Sequence, residues 1–134
     1  MNVLVLADGA GFYGRVAYHE WEGVSDDHEE CERLARSFSK PEPVDPPLPS
    51  DLLPHTLMMR NHGAVTAGAS VGQAFVRMFY LARICDVQLK VLGAGGANEA
   101  SAAILASDAL KYTVAGGEHG DAEWRAMRQF YKNM

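Results

Sequence analysis

Apolar residues along the chain alternate between short aliphatic runs, which suit strands, and stripes spaced by three and four, which suit helices. Asn2-Val-Leu-Val-Leu-Ala7 is such a run and leads into the glycine-rich stretch Asp8–Gly14, predicting a strand and then a turn. Arg15–Trp21 is rich in strand formers and closes at Gly23, so a second strand follows. Ser25 is a good helix N-cap, with Asp26, Asp27 and Glu29 in the first turn, where the helix dipole favours acids. Cys31, Leu34, Ala35 and Phe38 then fall at i, i+3, i+4 and i+7, one stripe of a helix ending near Lys40.

All six prolines lie between Pro41 and Pro54. Proline lacks the N–H that a helix or a central strand requires, so 41–54 reads as an extended surface loop. Pro46-Pro-Leu-Pro49 also satisfies a PxxP pattern, the rival reading being a partner-binding polyproline segment. Thr56–Arg60 predicts a buried strand, Asn61-His62-Gly63 a turn, and Ala64–Thr66 an extended path to Gly68. Ser70 and Gln73 form a capping box ahead of the longest helix. Phe75, Met78, Ala82, Cys85, Leu89 and Leu92 give that helix its main stripe; Val76, Phe79, Tyr80 and Val87 add a second flank. A helix apolar on so many sides is expected to be covered on more than one of them, by a sheet or another subunit. It ends at Gly93–Gly96. Asn98 can cap an alanine-rich helix to about Val114, and Asp121 a last short one with Trp124, Met127 and Tyr131.

Length and charge narrow the function. A chain of 134 residues fits one ordinary domain. A net charge of −5 without a basic stripe argues against nucleic-acid binding, which needs clustered Lys and Arg. No stretch approaches the ~18 apolar residues of a membrane span, and Met1–Ala7 lacks the basic start of a signal peptide, so the expected address is cytoplasmic. Cys31 and Cys85 sit on the apolar sides of their helices and read as small buried hydrophobes, one disulfide being the alternative.

Three places carry candidate chemistry. Gly9-Ala-Gly11-Phe-Tyr-Gly14 is a formal G-x-G-x-x-G after a hydrophobic run. Dinucleotide binding requires a helix to begin inside that motif, and no helical stripe follows before Gly23, so an ordinary turn is the better reading. His19-Glu-Trp-Glu22 holds two neighbours, His19 and Glu20, that point to opposite faces of a strand. His19 and Glu22 would meet only on a helix, and a structural or surface role is expected. Arg60-Asn61-His62-Gly63 places a histidine at the end of a buried strand, before a glycine that permits a tight turn. Such an imidazole suits a metal ligand, although a lone histidine is more often structural. His19, His28, His55 and His119 offer no H-x-H or H-x-x-x-H spacing to complete a local cluster.

The third place also carries a resemblance. Leu57-Met-Met-Arg-Asn-His-Gly-Ala-Val-Thr-Ala-Gly-Ala-Ser-Val-Gly-Gln-Ala-Phe75 resembles the class II aldolase/adducin family, with its R-N-H-G turn and G-x-[ST]-[VL]-x-x-A-F helix start. Met78–Leu89 resembles the family's long helix, and Gly14–Gly23 its strand and turn. The resemblance implies an α/β fold of three layers, α/β/α, with a largely antiparallel central sheet and helices on both faces. It implies zinc or another divalent metal as cofactor, held by an H-x-H pair and one later histidine, which carries over to His62. Asn61 and Gly63 would shape the turn around it. The parent chemistry is metal-dependent aldol cleavage or epimerisation of a small sugar phosphate or related carbonyl compound, with the metal as Lewis acid and an upstream glutamate moving the proton. A second branch, the adducins, keeps the fold and acts on the actin–spectrin skeleton, so a cytoskeletal protein partner is the non-catalytic alternative. Nothing before Phe12 matches the family's phosphate loops, catalytic glutamate block or H-x-H pair. Residues 1–134 are therefore expected to form a partial domain without its N-terminal part, inactive by itself, with 41–54 as an inserted loop. Family members are often tetramers, so a homo-oligomer is expected.

Overall fold

A computed structural model describes residues 7–20, 22, 28–41, 43–45, 47–94 and 120–132. The expected strand at Asn2–Ala7 (except Ala7, which begins a 3-10 helix), the cap at Ser25 and the alanine-rich helix after Asn98 lie outside these residues. The chain divides into two compact units, Gly14–Thr66 and, separately, Met1–Tyr13 with Ala67–Met134.

The Gly14–Thr66 unit is built on a three-stranded mixed sheet, β1 (Val16–His19), β2 (Thr56–Met59) and β3 (Gly63–Thr66), in that order. β1 and β2 are parallel, with Val16 opposite Thr56 and His19 opposite Met59. β2 and β3 form an antiparallel hairpin, Thr56 opposite Thr66 and Met59 opposite Gly63. A parallel pair cannot be joined by a tight turn. The connection from β1 to β2 accordingly holds helix α1 (His28–Phe38) and the proline-rich loop. That loop covers part of the unit. Pro41 bridges Ala17 at the outer side of β1, while Val44 and Leu48 close over Gly14, each 2.8 Å from where a side chain on it would begin. A proline at that position suits an edge, because it has no N–H to leave unpaired. Val16, Ala17, Thr56 and Leu57 form the buried centre.

α1 departs from its expected burial. No residue in it is buried: Leu34 and Phe38 are half-buried, and Cys31 and Ala35 are exposed. Ion pairs of Arg33 with Glu29 and of Arg36 with Glu32 line its exposed side, each worth little because water solvates both partners. Cys31 is thus not the buried hydrophobe that its stripe suggested.

In the other unit, Ala7–Phe12 is a 3-10 helix and not a simple turn. Helix α2 (Val71–Gly93) is the longest element, and helix α3 (Asp121–Lys132) packs against it. Ser70 caps α2 by accepting from the Gln73 N–H at 3.1 Å, but the Gln73 side chain accepts from Ala69 N and not from Ser70 N. The buried face of α2 is Gly72, Val76, Arg77, Leu81, Ile84 and Gln88. This corrects the expected stripe: Phe75, Ala82, Leu89 and Leu92 are exposed, and Met78 and Cys85 are half-buried. Periodicity cannot choose a face on a helix that is apolar nearly all round. Arg77, although buried, donates from Nη1 to the Ala67 carbonyl at 2.6 Å, so its polar end is satisfied.

Gly120, one residue before the expected cap, opens α3. Its N–H donates to the Glu123 carboxylate at 2.9 Å, and its carbonyl accepts from Trp124 N. Asp121 instead accepts from the Ser70 hydroxyl at 2.5 Å, tying the starts of the two helices together. A side chain on Gly72 would lie 2.5 Å from the Trp124 ring, so the helices meet this closely only over a glycine. Trp124 then stacks against Phe75, ring centroids 4.9 Å apart and tilted by 53°.

Candidate functional site

The N-H-G turn joins β2 to β3. The His62 N–H donates to the Met59 carbonyl at 3.2 Å, closing a four-residue turn over Arg60 and Asn61. Asn61 takes φ 58°, a left-handed conformation that asparagine tolerates better than other side chains. Gly63 takes φ 143°, open to glycine and strained for residues with a Cβ. Asn61, His62 and Gly63 are all exposed. Arg60 is anchored through its backbone N–H to the His19 carbonyl and through Nε to the Glu20 carboxylate at 3.1 Å. The ends of β1 and β2 are thereby fastened just before the turn, which fixes where His62 begins.

The donor set around His62 does not fit a zinc site by itself. Such sites take three protein ligands when catalytic and four when structural. Among the described residues no group of three His, Cys, Asp or Glu converges.

His19 and Glu22, read from sequence as unable to meet, do meet. His19 Nε2 lies 3.6 Å from Glu22 Oε1, although His19 is in strand β1. Nδ1 of the same buried ring shares a hydrogen bond of 3.0 Å with Ser37 Oγ on α1, and Glu22 accepts from Arg33 Nε at 2.7 Å. Among the described residues His19 Nε2 has no hydrogen-bond partner of its own. This line of four residues fastens β1 to α1. Sequence spacing carried no signal of it, since Ser37 and Arg33 reach His19 and Glu22 only through the packing of a helix on a strand.

His55 is also buried and shares a hydrogen bond of 2.9 Å with its neighbour Thr56, while the Arg15 carbonyl accepts from both backbone N–H groups. His55 is spent on the parallel pairing, not on ligation. The G-x-G-x-x-G segment leads from a short 3-10 helix into β1, so no α-helix begins inside it to hold a pyrophosphate. Burial raises the Cys85 thiol above its usual value, and both cysteines are free.

Residues 4–89 match the family described as the class II aldolase and adducin N-terminal domain. A putative aldolase class 2 protein from Caulobacter vibrioides is 29% identical over 103 residues, 77% of this chain and 35% of that protein. Alpha-adducin from Rattus norvegicus is 31% identical over 95 residues, 71% of this chain and 11% of that protein. The crystal structure of an aldolase II superfamily protein from Pseudomonas syringae superposes with a TM-score of 0.69 at 25% identity, covering 97% of this chain and 46% of the other. The chain thus spans less than half the length of each of these proteins. It has the α/β fold of the superfamily, and no helix among the described residues is long and apolar enough to cross a membrane. Over most of its length the chain belongs to the class II aldolase and adducin family.

Proposed function

We propose that the chain supplies the His62 segment of a class II aldolase-type metal centre and that the 134 residues alone do not turn over substrate. One observation carries this reading: the N-H-G turn presents an exposed imidazole at the tip of the β2–β3 hairpin, while no group of three donors converges among the described residues. A single imidazole cannot hold zinc tightly. The remaining ligands and the proton-moving carboxylate must come from outside the described residues. Within a complete centre, the role of this chain's own residues is to hold the ligand in place. Asn61 and Gly63 set the backbone path, and Arg60 fastens the strand end beneath it. The substrate class is then a small phosphorylated or carboxylated carbonyl compound, in a cytoplasmic homo-oligomer. In this reading residues 1–134 are one partial domain, with 41–54 an insertion.

The test is an aldol assay with dihydroxyacetone phosphate and short aldehydes, run on zinc-saturated protein. Absence of turnover that His62→Ala leaves unchanged is the expected outcome. Turnover abolished by His62→Ala would show that the chain completes its own site.

The likeness to alpha-adducin supports a second reading, a non-catalytic module that binds the actin–spectrin skeleton. Sedimentation with actin filaments and spectrin distinguishes it: co-sedimentation unchanged by His62→Ala favours the module, and none removes it.

A further inference from the structure

One face of α3 and the start of α2 enclose a groove that neither reading uses. Its floor is Phe75, Trp124 and Met127, and its rim is Arg128 and Lys132, around a volume of about 360 Å³. Trp124, Met127, Arg128 and Lys132 fall at i, i+3, i+4 and i+8 and so share one side of α3. The Phe75 and Trp124 rings stand at 53° with centroids 4.9 Å apart, in contact with each other as one aromatic floor. The Arg128 guanidinium lies 5.8 Å from the Trp124 ring centroid, and the Lys132 ammonium is one turn further on. Phe75 keeps 45% of its surface exposed. The chain has 17 acidic and 12 basic residues, yet among the described residues the lining includes two cations and no carboxylate.

We propose that this groove binds an aromatic carboxylate. The chemistry of the lining selects it. A flat ring can lie on the exposed Phe75 side of this floor at the 4.5–7 Å typical of ring pairs, and the Met127 thioether adds a second favourable contact. The carboxylate then reaches the rim, where Arg128 can take it through two parallel N–H bonds and Lys132 adds a second charge. The volume accommodates a two-ring body with its acid group. An acidic peptide or a nucleic acid fits less well, because two exposed cations on an otherwise acidic protein give little long-range attraction. Half-open and partly wet, the groove should bind with a Kd on the order of 0.1–1 mM.

The experiment uses the full chain with Trp21→Phe, so that Trp124 gives the single indole N–H peak in proton–nitrogen correlation spectra. The probes are 2-naphthoate and its uncharged analogue 2-naphthylmethanol. The expected result is a saturable shift of the Trp124 peak, with the acid bound about tenfold more tightly than the alcohol. Arg128→Ala with Lys132→Ala should abolish that preference and leave the weak binding of the alcohol. Phe75→Ala should weaken both. Equal affinity for acid and alcohol, or a double variant that binds the acid as the parent does, overturns the proposal. So does loss of the peak on concentrating the protein without ligand, which would give the groove to a second copy. Should Phe75→Ala fail to fold, the double variant still decides, because both of its positions are exposed.

Discussion

The β2–β3 hairpin and helix α2 present opposite relations between sequence and structure. In the hairpin nearly every residue has a local reason for its conformation. Asn61 and Gly63 take backbone angles that few other residues tolerate, and Met59 faces Gly63 across the turn. In α2 the local signals fix the length, from the Ser70 cap to Gly93, but not the face. Ile84 and Val76 are fully buried, whereas Leu89 and Phe75 remain 67% and 45% exposed. Local backbone chemistry is legible one residue at a time; the choice among apolar faces is made by what packs against them.

That contrast can be broken by substitution. Ile84→Ala should cost the most, about 2–5 kcal/mol in urea unfolding, because it leaves a cavity among buried neighbours. Leu89→Ala, on the face that the spacing favoured, should change stability by no more than about 0.5 kcal/mol. Equal losses at the two positions would mean that the assigned buried face is wrong.

Gly72→Ala tests the close approach of α2 and α3. Its methyl group would meet the Trp124 ring, and a loss of about 1–3 kcal/mol is expected, with the near-ultraviolet dichroism of the tryptophan changed. A neutral effect would mean that α3 sits further from α2.

In the hairpin, Gly63→Val should cost on the order of 1–3 kcal/mol through backbone strain alone, since no atom lies within 4 Å of where its side chain would begin. Asn61→Gly should be nearly neutral and Asn61→Val destabilising, a pattern that a contact made by the asparagine side chain would reverse. Thermal unfolding of the three variants measures it.

The smallest effect concerns the two thiols. Burial disfavours the Cys85 thiolate, so less of it is ionised at any given pH than of an ordinary thiol. Cys31 is exposed. Iodoacetamide at mildly alkaline pH should therefore modify Cys31 first, as peptide mass spectrometry would record. Faster reaction at Cys85 would contradict its placement on α2.

Much of the fold was legible. Strands β1, β2 and β3 and helices α1, α2 and α3 lie within a few residues of their expected positions, because strand formers, caps and prolines act locally. Parallel pairing of β1 with β2 was not, as it depends on a long connection whose path the sequence does not state. The candidate site divides in the same way. The turn at Asn61-His62-Gly63 was legible from its glycine, and its path follows from two backbone angles. The contact of His19 with Ser37 and Glu22 was missed, because it exists only once α1 packs on β1.

The central claim is that His62 is one ligand of a metal centre whose other ligands lie outside the described residues. It is tested most directly by the zinc content of the purified 134-residue chain after exhaustive dialysis, beside His62→Ala, by mass spectrometry. The account predicts far less than one zinc per chain in both proteins. Near-stoichiometric zinc in the parent, lost in His62→Ala, would contradict it and would mean that further residues of this chain, or a second copy, complete the site.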